Sequence, residues 1–107
     1  MQFVARYHLR PGKDQEARKW ILKEEKEGIP NAPGWKYLGT YFNSMGFGKF
    51  AIEFRCEIKN YAAIDAWREA PDAPWAKWYC EFSQFRDLSR PSEISILIEA
   101  SEHSIPG

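Results

Sequence analysis

Four ionisable residues in two short stretches have the types that a small active site uses. His8 is the candidate acid/base group, because an imidazole with an ordinary pKa of about 6.5 both gives and takes a proton at neutral pH. Arg6 and Arg55 are candidate substrate-binding residues; each guanidinium offers a planar fork of donors for a carboxylate or a developing oxyanion. Glu53 completes the set as the carboxylate that would orient the imidazole. The same four residues also suit a second role, a paired and hydrogen-bonded network that fixes the register of a dimer. His103, the other histidine, falls in a polar tail and is expected to be solvated.

Other chemistry is missing from the sequence. There is no nucleophile elbow, phosphate-cradling loop, HExxH or EF-hand pattern. Gly46-Phe47-Gly48 lacks the spacing and the following helix of a phosphate loop, and reads as a hairpin turn. Cys56 and Cys80 have neither CxxC nor zinc-ligand spacing, which predicts free thiols buried as small hydrophobes, with no metal and no cofactor. Fifteen basic residues balance fifteen acidic ones, so the field that would steer a nucleic acid or an anionic membrane is absent. No apolar run approaches the roughly 20 residues of a membrane span, and no basic start precedes an apolar segment, which predicts a cytoplasmic protein.

The elements that must position the four residues follow from periodicity. Residues 2–9 alternate, with Phe3, Ala5, Tyr7 and Leu9 on one side and Val4, Arg6 and His8 on the other, as a strand requires. After Arg10-Pro11-Gly12, Asp14 and Glu16 favour the first turn of a helix that carries Ala17, Trp20 and Ile21 as its apolar stripe and stops at Gly28 in an αL conformation. The mixed-sign run Lys23-Glu24-Glu25-Lys26-Glu27 is its solvated face. Residues 35–43, rich in aromatic and β-branched side chains, make a second strand, and residues 49–58 a third, where Phe50, Ile52, Phe54, Cys56 and Ile58 alternate strictly with Ala51, Glu53, Arg55 and Glu57. Asn60 caps a short helix that ends before Pro71, and Asp72 caps another with Pro74 in its first turn. Trp75, Trp78, Tyr79, Phe82 and Phe85 recur at three- and four-residue steps and are expected to be packing surface. Residues 93–100 form a fourth strand, and 101–107 a short tail.

This order, β-α-β-β-α-β in a single domain over residues 1–107, is a ferredoxin-like α+β arrangement: a four-stranded antiparallel sheet with its helices on one face. The first and third strands are its central neighbours, so Arg6, His8, Glu53 and Arg55 would meet on the face the helices leave bare. Which side of the second strand faces the helices depends on the turn around Met45-Gly46: one length sets Leu38, Thr40 and Phe42 beside Glu53, another sets Tyr37 and Tyr41 there. With 44% of residues hydrophobic and 16% aromatic, more than so small a core needs, some apolar surface is expected to meet a partner. Residues 46–54 are similar to the RNP1 motif of RNA-recognition domains, but Lys49 interrupts it and an extra residue separates Phe50 from Phe54, so the aromatics fall on the wrong faces to stack bases and nucleic acid is not an expected partner.

The layout, the run Phe54-Arg55-Cys56-Glu57-Ile58-Lys59-Asn60-Tyr61-Ala62-Ala63, and its continuation to Pro71 and Pro74-Trp75 resemble the dimeric α+β barrel superfamily, with the Pro-Trp step closest to NIPSNAP-type and antibiotic-biosynthesis-monooxygenase-type members. That resemblance implies a homodimer in which two sheets face one another, a small-molecule ligand in the barrel or an adjacent cleft, and cofactor-independent monooxygenase-like chemistry as one precedent. No catalytic motif of those families, and no haem-degrading Asn-His-Trp set, maps onto this chain residue by residue. Two functional expectations follow: a small-molecule enzyme with its pocket on the open face of the sheet, or a non-catalytic homodimer that binds a metabolite or a protein.

Overall fold

The computed structural model of the chain describes residues 1–43 and 50–100. Its elements run β1 (Gln2–Tyr7), α1 (Asp14–Glu27), β2 (Trp35–Phe42), β3 (Ile52–Ile58), α2 (Ala62–Arg68), α3 (Pro74–Phe82) and β4 (Glu93–Leu97). The strands form one antiparallel sheet in the order β2-β3-β1-β4, the ferredoxin-like arrangement expected from the sequence. The hairpin turn read at Gly46-Phe47-Gly48 and Met45, the strand start at Lys49, and the tail with His103 lie outside the described residues.

Register fixes the two faces. Ala5 stands opposite Phe54 and Tyr7 opposite Ile52, and these four pack with Ala17, Ile21, Phe82 and Phe85 into the core under the helices. On the other face Arg6 stands opposite Glu53 and Val4 opposite Arg55, with Glu93 and Ser95 of β4 beside Arg6 and Val4. The undecided strand, β2, takes neither predicted parity throughout. Its register slips between Tyr37 and Gly39, so Trp35, Tyr37, Thr40 and Phe42 pair with the core-facing residues of β3 while Tyr41 pairs with Glu53 on the open face. The extra residue, Leu38, is a bulge, which turns the strand over midway.

Several boundaries differ from the sequence reading for identifiable reasons. β1 ends at Tyr7, and Leu9 pairs in an isolated bridge with Arg86, because the chain after α3 returns beside it: the Asp87 N–H donates to the carbonyl of His8 and the Arg10 N–H to that of Phe85. β3 begins at Ile52; Ala51 packs against the core while Phe50 leaves it to stack on His8. β4 stops at Leu97 because Leu97 faces Gln2, where β1 begins. Gly28 ends α1 at φ 98° and ψ 117°, a positive φ that favours glycine but not the αL conformation. Asn60 lies one residue before Tyr61, the N-cap of α2, and its Oδ1 accepts from the first-turn Ala63 N–H at 3.1 Å. Asp72 does not cap α3; Ala73 does, in an extended conformation, since the residue before a proline is pushed out of the helical region.

Candidate functional site

Three of the four predicted site residues come together. On the open face the two Glu53 oxygens are divided between two guanidiniums: Arg6 Nε donates to Oε1 and Arg55 Nε to Oε2, each at 2.7 Å. Arg6 NH1 reaches across β1 to Glu93 Oε1, also at 2.7 Å, and to Ser95 Oγ at 3.4 Å. Arg55 completes the chain by lying over the Tyr41 ring, 5.4 Å from its centroid. Partial burial works to raise the Glu53 pKa, but the hydrogen bonds and charges of Arg55 and Arg6 outweigh it and hold the carboxyl below its ordinary range. A hollow of about 300 Å³ opens beside this network, lined by Arg6, Glu53, Tyr41, Phe42, Phe50 and neighbours.

His8 is not part of that chain. With both carboxylate oxygens taken by arginines, Glu53 does not orient the imidazole. The ring is buried and stacks on Phe50, centroids 4.4 Å apart, and its side chain makes no hydrogen bond among the described residues. Desolvation lowers its pKa, the Arg90 charge lowers it further, and Asp87 opposes them. The two larger causes favour the neutral imidazole.

The larger hollow lies on the helix side of the sheet. It has a volume of about 330 Å³, and its walls are Phe3, Trp35, Trp67, Trp75, Trp78 and Tyr79, with Ile94 and Ile96 of β4 along one side. Local chemistry holds these walls in place. Trp35 Nε1 donates to the Ala63 carbonyl at 2.7 Å, which ties α2 to β2, and Trp75 Nε1 donates to the Trp67 carbonyl at 3.4 Å, which joins the end of α2 to the start of α3. Phe3 meets Trp35 edge-on at 4.8 Å, and Trp67 meets Tyr79 edge-on at 5.7 Å, geometries that suit the ring quadrupoles. Trp78 stacks on Trp20 at 5.0 Å, and its Nε1 is buried without an acceptor among the described residues; such an unmet donor costs about 1–3 kcal/mol.

The polar groups in this cavity keep their protons. Burial pushes the Tyr7 phenol up, helped by its hydrogen bond to Tyr79, whose hydroxyl accepts from Arg86 NH1 at 2.9 Å. Burial also raises the Tyr37 phenol, which donates to Glu25 at 3.0 Å and is hydrogen-bonded to Thr40. The Cys56 thiol is pushed up to about 11 by burial. Both cysteines are free, as expected, but only Cys56 is sheltered; Cys80 is exposed, because it falls on the outer side of α3.

Sequence reasoning missed this cavity because it read the aromatic stripe as one packing surface. Phe82 and Phe85 are core, Trp78 and Tyr79 pack against that core and also line the hollow, and Trp75 lines the hollow. The available signal was Pro71 and Pro74, which break the helical segment into two separate helices, α2 and α3. Among the described residues no group of His, Cys, Asp and Glu is placed to hold a metal ion, and no helix is long and apolar enough to cross a membrane.

No protein-family model matches the chain, and no curated protein does. Solved structures do. A NIPSNAP domain protein from Burkholderia xenovorans superposes with a TM-score of 0.67 at 20% identity, covering 98% of this chain and 100% of that one. A NIPSNAP family protein from Agrobacterium tumefaciens gives 0.61 at 17% identity, covering 92% of each chain. A dimeric protein of ferredoxin-like fold from Bacteroides fragilis gives 0.56 at 12% identity, covering 88% of this chain and 90% of that one. The two hollows, one on each face, are thus carried by the ferredoxin-like α+β fold that NIPSNAP proteins share.

Proposed function

We propose that the protein takes up one small molecule with a flat, apolar ring system per subunit in the cavity between the sheet and helices α2 and α3, and that it does so as a homodimer. The observation that carries this reading is the cavity itself: about 330 Å³ walled by aromatic rings, within the size range of small-molecule sites and lined in the way they are. A structural role alone is poorly served by it, since a concave apolar surface left open to water forgoes the burial that would stabilise the fold. Uptake is the step shared by an enzyme and a non-catalytic binding module. Burial keeps Tyr7, Tyr37 and Cys56 protonated at neutral pH, so these three groups are not bases. Monooxygenase-like chemistry in this cavity would then rest on an electron-rich substrate ring.

The test is a titration with 1-naphthol, read by quenching of tryptophan fluorescence. Saturable quenching at one equivalent per chain is expected, with loss of that signal in Cys56→Phe, which fills the cavity. Quenching that never saturates, or that survives the filled variant, removes the proposal. Oxygen uptake on adding an electron-rich phenol separates catalysis from binding alone.

The dimer reading rests on the open face. The strand register sets Lys36, Arg6 and Arg55 on it with Glu53, Glu57 and Glu93, an equal count of both signs that suits a two-fold contact of the face with itself. Tyr41 and Leu97 stand among these charges and are about half exposed. In this reading the Arg6-Glu53-Arg55 chain sets the register between subunits, and His8 packs the strand end on Phe50.

A further inference from the structure

Among the described residues the cavity has one charged group in its lining, Arg68, the last residue of α2, and no carboxylate. Arg68 is exposed and makes no hydrogen bond or ion pair among the described residues, which sets it apart from Arg6 and Arg55, each held by a carboxylate. It directly follows Trp67, whose ring forms part of the wall.

From this placement we infer that the preferred ligand is a planar aromatic carboxylate, its ring system between the tryptophans and its anionic end on the Arg68 guanidinium at the cavity mouth. The inference rests on the cavity being the binding site. An uncommitted guanidinium offers two parallel donors to a carboxylate, and the neutral walls repel neither a neutral nor an anionic ring. A cationic ligand would be drawn to the tryptophan faces, but it has no counter-charge among the described lining residues and meets Arg68 unfavourably. Because Arg68 is at the rim, water and salt screen the pairing, so it selects among ligands and the aromatic walls supply most of the affinity.

Calorimetric titration of the full chain with 2-naphthoate and with 2-naphthamide, which share ring and size, tests the inference. At low ionic strength naphthoate binds about fivefold or more tightly than the amide, and the gap narrows as salt is added. Arg68→Met keeps the apolar stem but not the charge; in it the two probes bind alike, at the affinity of the amide for the parent protein. Equal binding of both probes to the parent, or a preference that survives Arg68→Met, overturns the carboxylate assignment and leaves the cavity intact as a site. If neither probe binds, the cavity reading fails and this inference goes with it.

Discussion

Glu53 shows how the charges of the bare sheet face are used. Its carboxylate accepts from Arg6 and Arg55 at 2.7 Å each and is largely shielded from solvent, so replacing it leaves Arg55 with the Tyr41 ring as its partner among the described residues. Glu53→Gln is expected to lower stability by about 1–2 kcal/mol at neutral pH, less than a fully buried pair would give because the arginines retain partial access to water. A carboxylate whose folded pKa is depressed adds stability above its unfolded value and loses it as the pH falls through the folded one. Urea unfolding should therefore show the widest gap between parent and variant at neutral pH, closing below the ordinary carboxylate range; a gap independent of pH would mean the ion pairs are not its source. His8 obeys the same sign. Its pKa is lowered chiefly by desolvation, so its NMR titration should have a midpoint below about 6.5, and its burial should favour the fold at neutral pH and oppose it in acid. The Cys56 thiol, held up to about 11 by burial, exposes almost no thiolate near neutrality. Iodoacetamide should label exposed Cys80 first, and Cys56 more than tenfold more slowly at about pH 7.5.

Helix α3 carries both the core and the cavity wall, and the two sets of rings follow different rules. Phe82 is fully buried against Tyr7 and Phe54, with ring centroids 5.2 and 4.8 Å away, so Phe82→Ala should cost about 3–5 kcal/mol, seen as a lower urea midpoint. Trp75→Ala removes a wall that already borders empty space and should cost less than half as much while abolishing naphthol binding; equal losses of stability would argue that the wall is core. This distinction could not be read from the sequence. Period-two alternation made β1 and β3 legible, and with them the meeting of Arg6, Glu53 and Arg55, since opposite residues in a register share a face. Alternation says nothing of a bulge, and so the division of β2 at Leu38 was invisible. Nor does it say where a strand ends: His8 alternates with Arg6, yet the chain after α3 captures its backbone and Phe50 its ring. Helical periodicity likewise reports which side chains point inward, without reporting whether anything fills the space they face.

At the scale of the whole molecule, helices on one side of the sheet leave the charges and half-exposed Tyr41 of the other side without a covering helix or strand among the described residues. In the proposed dimer a second copy would cover this face, the cations of one sheet meeting the anions of the other and the apolar side chains between them losing water. Tyr41→Glu tests this with little harm to the isolated subunit, because the new carboxylate arises beside Arg55, whose guanidinium lies 5.4 Å from the ring it replaces. In the dimer the same carboxylate adds a desolvated negative charge near Glu53, its register partner, and each copy contributes one. Sedimentation should show the parent as a dimer at micromolar concentration and the variant dissociating at least tenfold more readily, a difference of about 1.4 kcal/mol or more. The thermal midpoint of the parent should also rise with protein concentration, as association linked to folding requires, and that of the variant should not. A parent that sediments as a monomer, with a midpoint independent of concentration, would leave the open face solvated and reduce the Arg6-Glu53-Arg55 chain to a means of keeping a wet sheet surface ordered.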